Sequence, residues 1–273
     1  MPTFGAPDGT ELYFTDDGTG APILCLAGLT RDGRDFDYVA PHLSGHRVIR
    51  LDYRGRGKSG WAPYETYTIP TEAQDVLALI EHLGLDKVAI LGTSRGGLIA
   101  MVLAAMAKDR LAGVCLNDIG PEIAAEGLAD IDTYLGRAPA QKTYAEIAPM
   151  RAKRLPGFEN VPPERWEAEV RKHFVETPDG LALTYDPKLR DAVQMTSAQP
   201  MPDLWPVFDA LAGVPLALIR GANSNLLTLD TAQQMQRRRP DMIWCDVPDR
   251  GHVPFLDEPE ALAVIHDWLG AMA

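Results

Sequence analysis

Short apolar runs alternate with longer segments whose apolar positions recur every three or four residues, a rhythm kept at both ends of the chain and lost in its middle. Residues 23–27 and 48–51 are nearly all apolar, the pattern of strands buried on both faces of a parallel sheet. Residues 72–83 carry apolar side chains at 73, 76, 77, 79, 80 and 83, which predicts an amphipathic helix ended by Gly84. The same reading gives an early edge strand at 12–15 after the Asp8-Gly9 turn, strands at 87–91 and 111–116, and a helix at 96–107 between them. Beyond residue 205 it gives strands at 214–219 and 242–247, and helices at 230–238 and 259–272. Alternation of this kind predicts an α/β fold, an open and mostly parallel sheet with helices on both faces.

Residues 120–205 break the rhythm. No buried strand is evident there, and the segment reads as helices separated by prolines at 139, 156, 162, 163, 187, 200 and 202. Tyr134, Tyr144, Phe158, Trp166, Phe174 and Tyr185 are scattered through it. Singly these are packing residues; together they suggest a helical cap over the carboxyl edge of the sheet, where α/β sheets bind ligands. The expected division is therefore a core of residues 1–119 and 206–273, with a cap inserted at 120–205.

Composition narrows the function. A net charge of −12 over 273 residues argues against nucleic acid or an anionic membrane as partner. The Arg237-Arg238-Arg239 cluster reads as the positive last turn of a helix. Neither a secretory signal nor an apolar stretch of membrane-spanning length is visible, so the expected location is cytoplasmic. Cys25, Cys115 and Cys245 lie in apolar runs and read as reduced core residues. The histidines show no metal-ligand spacing, and neither a metal nor a cofactor is expected.

The informative motif is Gly92-Thr93-Ser94-Arg95-Gly96-Gly97, between a predicted strand and a predicted helix. A serine in so sharp a strand-to-helix turn needs neighbours without bulk, and the turn leaves its hydroxyl at a helix N-terminus, where negative charge is favoured. Ser94 is a weak nucleophile until a base takes its proton. His252, in Arg250-Gly251-His252 straight after the last predicted strand, faces the same sheet edge and is the candidate base.

With these residues in place the chain resembles the α/β-hydrolase family. The resemblance covers the elbow at 92–97, the Gly-His after the last strand, the run Asp52-Tyr53-Arg54-Gly55-Arg56-Gly57-Lys58-Ser59, and an oxyanion loop at Leu26-Ala27-Gly28-Leu29. It implies that the backbone N–H groups of Leu29 and Arg95 hold the oxyanion. One position departs from the family. The usual acid follows the strand ending near Gly221, and the aspartate expected at 225 is Asn225. Asp118, at the end of the strand after the elbow helix, either supplies the missing acid or caps the start of the insertion; Asp249 is a weaker candidate.

Two other motifs fail. Gly57-Lys58-Ser59 lacks the upstream glycine of a phosphate-binding loop, which here is Asp52. The glycines around Ser94 have the wrong spacing for a dinucleotide loop. A serine at 94 also points away from the dehalogenase and epoxide hydrolase chemistries of the resembled family, which use an aspartate. The expectation is a serine hydrolase acting through an acyl-enzyme on a small, largely apolar ester or lactone, with C–C bond hydrolysis open. The rival is a ligand-binding or receptor-like member of the fold with little turnover, which Asn225 favours.

Overall fold

The computed structural model describes residues 2–155, 157–198 and 202–272; Pro156 and Pro200, read above as turn prolines, lie outside them. The strands are β1 (Thr3–Gly5), β2 (Glu11–Gly18), β3 (Ala21–Leu26), β4 (His46–Leu51), β5 (Val88–Thr93), β6 (Leu111–Asn117), β7 (Phe174–Thr177), β8 (Gly180–Leu183), β9 (Leu216–Gly221) and β10 (Ile243–Val247). The helices are α1 (Ile69–His82), α2 (Arg95–Ala107), α3 (Ala125–Tyr134), α4 (Tyr144–Arg154), α5 (Pro163–His173), α6 (Leu189–Ser197), α7 (Trp205–Asp209), α8 (Leu229–Arg238) and α9 (Pro259–Gly270).

Eight strands form one sheet in the order β1-β2-β4-β3-β5-β6-β9-β10. Pairing is parallel from β4 to β10, and antiparallel for β1 with β2 and for β2 with β4. Both faces are covered, which explains the unbroken apolar runs. In β3, Leu24 and Leu26 join the core under α1, α2, α7 and α8, while Ile23 and Cys25 join the opposite core under α9. Period two thus places neighbouring residues of one strand in separate cores.

Several expected bounds shift. Helix α1 begins at Ile69, before the expected 72, because Thr68 caps it by accepting a hydrogen bond from the Thr71 N–H, with Pro70 in its first turn. The edge of the sheet is β1, and the strand expected at the edge is second; three residues carry too little periodicity to be read. Arg239 does not end a solvated helix. Its guanidinium is buried and donates to the Leu211 and Val214 carbonyls.

Between β6 and β9 lie α3, α4, α5, α6 and α7, with a two-stranded antiparallel hairpin, β7–β8, that the expectation of helices alone did not include. Pro178-Asp179-Gly180 is its turn chemistry, and its four-residue strands are too short to carry the apolar run that marks a buried one. Ile147, Trp166, Val170, Phe174 and Leu181 form a small core of this segment's own. The run 52–59 ties it to the sheet: the Gly57 N–H donates to Thr184 O at 2.9 Å and the Asp186 N–H to Gly55 O at 2.8 Å. Among the described residues no helix is long and apolar enough to cross a membrane.

Candidate active site

Strand β5 delivers Ser94 and helix α2 begins directly after it, with Ser94 at φ 50° and ψ −112°. A non-glycine residue at positive φ is strained, and such strain gathers where geometry serves chemistry. The glycines make the bend possible. A Cβ on Gly96 would overlap the Leu26 carbonyl oxygen, and one on Gly92 would press into the Gly96 backbone. Gly96→Ala is therefore expected to cost about 1–3 kcal/mol of stability and to displace Ser94. Melting curves and ester hydrolysis rates check this together; an alanine variant matching the wild type in both contradicts the close-packing argument.

His252 lies on the loop between β10 and α9, and its Nε2 is 3.0 Å from Ser94 Oγ. Its Nδ1 is 2.7 Å from Asp118 Oδ2. A carboxylate can only accept, so Nδ1 carries the proton and Nε2 is left to accept from the serine hydroxyl. Asn117 supports this arrangement, its Nδ2 donating to Thr93 Oγ1 and to Pro254 O on the histidine loop.

The three candidate acids separate cleanly. Asp118 is fully buried and accepts from the Gly221 N–H at 2.9 Å and the Ser224 hydroxyl at 2.7 Å as well as facing His252. The loop after β9 therefore folds around Asp118. Asn225 turns away toward α3, donating to Asp130 Oδ2 at 2.5 Å. Asp249 accepts from Asn160 Nδ2 and does not face His252.

Gly28 and Leu29 line the cavity in front of Ser94. Arg95 opens α2, where helix geometry leaves its N–H without an intrahelical acceptor. Its side chain is held by two contacts: Nε donates to Glu72 Oε2 and Nη2 to Tyr67 O.

The cavity itself is small, about 80 Å³. Tyr134, Phe158 and Trp166 from the insertion line it; Tyr144, Phe174 and Tyr185 do not, and serve packing. Charge in the same wall departs from the expectation of a largely apolar ligand. Arg31, Arg151 and Glu169 line the cavity beside Ser94. Arg31 pairs with Asp35 at 3.2 Å and Glu169 at 3.3 Å. Burial lifts the Asp35 carboxyl to about 6 despite the neighbouring Arg31. Burial and the facing Arg31 pull Arg151 down to about 10. The sequence held no local signal for these residues: Arg31 stands on a loop, and Arg151 ends a helix whose face cannot be assigned before the insertion is packed.

Comparison with known proteins gives consistent matches. The family described as alpha/beta hydrolase fold matches residues 21–259. The 3-hydroxybutyrate-oligomer hydrolase of Cupriavidus necator is 38% identical over 253 residues, 89% of this chain and 86% of that protein. The 2-(acetamidomethylene)succinate hydrolase of Mesorhizobium japonicum is 24% identical over 243 residues, 88% and 84% of the two chains. Among solved structures, an alpha/beta hydrolase from Novosphingobium aromaticivorans superposes with a TM-score of 0.92 at 36% identity, covering 98% of this chain and 97% of the other.

Proposed function

The chain belongs to the α/β-hydrolase family and is a hydrolase, and from that premise we propose that it cleaves carboxylic esters, lactones included, through an acyl-enzyme on Ser94. One observation carries the reading: the unbroken relay from Ser94 Oγ to His252 Nε2, and from His252 Nδ1 to Asp118 Oδ2. In the first half-reaction Ser94 Oγ attacks the ester carbonyl while His252 Nε2 takes its proton. The negative charge that develops on the carbonyl oxygen is met by the N–H groups of Leu29 and Arg95. The tetrahedral species collapses, the alcohol leaves with the proton from His252, and the acyl group stays on Ser94. Water then gives its proton to His252, attacks the acyl carbon and releases the acid. Asp118 stays ionised throughout and stabilises the imidazolium formed twice in each cycle. The insertion at 120–205 serves as the cap that closes this cavity. The relative from Cupriavidus necator, which acts on oligomers of 3-hydroxybutyrate, supports esters of hydroxy acids as the substrate class.

The test is labelling with a fluorophosphonate, expected to give a single adduct on Ser94, together with hydrolysis of p-nitrophenyl butyrate showing a burst of p-nitrophenol equal to the enzyme present. A protein that takes no label and hydrolyses no ester overturns the proposal in favour of a pocket that binds without turnover.

A further inference from the structure

Two arginines line the space in front of Ser94, one from each part of the molecule. Arg31 follows the Gly28-Leu29 turn of the core, and Arg151 comes from α4 of the insertion. Arg31 has carboxylate partners in Asp35 and Glu169, yet its Nη1 is cut off from solvent without a hydrogen bond. Arg151 is left further short. Its guanidinium makes no hydrogen bond or ion pair among the described residues, and its Nε is shut away from solvent. Glu169, the one acidic side chain in the wall among the described residues, already faces Arg31 and lies 3.5 Å from Lys172 Nζ. The imidazole of His173 stays neutral, pushed well below its ordinary range by burial and then by Arg31, Arg151 and Lys172.

Positive charge is therefore in excess where the cap meets the core. Arg151, Tyr134 and Leu155 also line a wider groove of about 620 Å³, whose lining includes Arg137, Arg154 and Asp130. A half-buried arginine without a partner costs stability, because its desolvation is not offset. Its planar fork of donors matches a carboxylate in two parallel hydrogen bonds. Arg31 and Arg151 both line the small cavity beside Ser94, and Arg31 Nη1 and Arg151 Nε have no hydrogen-bond partner among the described residues.

We propose that Arg31 and Arg151 form a carboxylate-binding subsite, so that the substrate is an anionic ester with a free carboxylate a few bonds from the carbonyl that Ser94 attacks. The position of the ester rests on the function proposed above; the subsite does not.

The test separates the two claims. Ser94→Ala protein is titrated with monomethyl succinate and with dimethyl succinate, which differ in one ionised carboxyl group. The monoester is expected to bind at least tenfold more tightly, and adding Arg151→Met should bring the two affinities together. Equal binding of the two, or a preference that survives Arg151→Met, overturns the subsite whatever the turnover. On wild-type protein, kcat/KM for p-nitrophenyl hydrogen succinate should exceed that for p-nitrophenyl butyrate by a similar factor. Preferred binding of the monoester with no hydrolysis of either ester supports the subsite and sinks the serine mechanism. Equal hydrolysis of both with equal binding does the reverse. The melting temperature of the unliganded protein gives a second readout: Arg151→Met should raise it, since an uncompensated charge is removed. A lowered melting temperature with discrimination intact marks Arg151 as structural and overturns the proposal.

Discussion

Asp118→Asn should lower kcat for ester hydrolysis by about 10⁴-fold while leaving the protein folded. The carboxylate does two things that an amide cannot. It accepts the Nδ1 proton of His252, which fixes the tautomer that leaves Nε2 free for Ser94, and it stabilises the imidazolium once Ser94 has given up its proton. An asparagine can turn its NH2 toward Nδ1 and favour the opposite tautomer. Asn225→Ala is expected to change kcat by less than about threefold, since Asn225 bonds to Asp130 and not to the histidine. Asn225→Asp should not rescue Asp118→Asn, because the loop that carries residue 225 is folded around Asp118 through Gly221 and Ser224. Steady-state kinetics of the three variants, with melting curves to confirm folding, decide the matter. Retention of full turnover by Asp118→Asn would remove it from the relay.

Glu72→Ala should destabilise the fold by about 3–5 kcal/mol, the usual cost of stranding the partners of a buried ion pair. Glu72 is fully buried, with Oε1 at 2.8 Å from Arg56 Nη1 and Oε2 at 2.5 Å from Arg95 Nε. Arg56 is 1% exposed and already has one nitrogen without a partner, so it has no solvent to turn to. The effect reaches the site as well. Arg95 follows Ser94, and the Glu72 and Tyr67 contacts hold the turn whose N–H the proposed mechanism assigns to the oxyanion, so kcat should fall with stability. Burial raises the Glu72 carboxyl, but Arg56 and Arg95 outweigh it and hold it below its ordinary value of 4.5. A carboxyl depressed in the folded state binds fewer protons there than in the unfolded chain. Its contribution is complete above the ordinary glutamate range and is lost as the pH falls through the folded value. The gap between wild type and Glu72→Ala in urea unfolding should accordingly narrow below about pH 4.5. A variant within 1 kcal/mol of wild type at neutral pH, or a gap independent of pH, contradicts this account.

The local features were legible because local chemistry produces them. The strands beside Ser94 could be read from apolar runs, since both faces of β3, β5 and β6 are covered and no polar residue interrupts them. The elbow could be read because Gly92 and Gly96 are needed within two residues of Ser94. His252 could be placed by its position after the last strand. Helix α1 was misread at its start only because Thr68 as a cap lies outside the apolar period. The β7–β8 hairpin is not legible in the sequence because strands of four residues are too short to show a period.

The sequence by itself thus determined the strands of the sheet, the sharp turn at Ser94 and the place of His252 after the last strand, all set by residues near one another in the chain. Which acid faces His252 was decided only by the tertiary structure. Asp118 and Asn225 both follow strands that end at the same edge, and the pairing of β6 with β9 presents the first to the histidine and turns the second toward the insertion. The charge of the cavity was decided in the same way. Arg31 and Arg151 lie far apart in sequence and meet only because the insertion folds back over the strand ends. Periodicity and turn chemistry act over a few residues, whereas a hydrogen bond or a repulsion between charges depends on distance in space, and a linear pattern does not contain that distance.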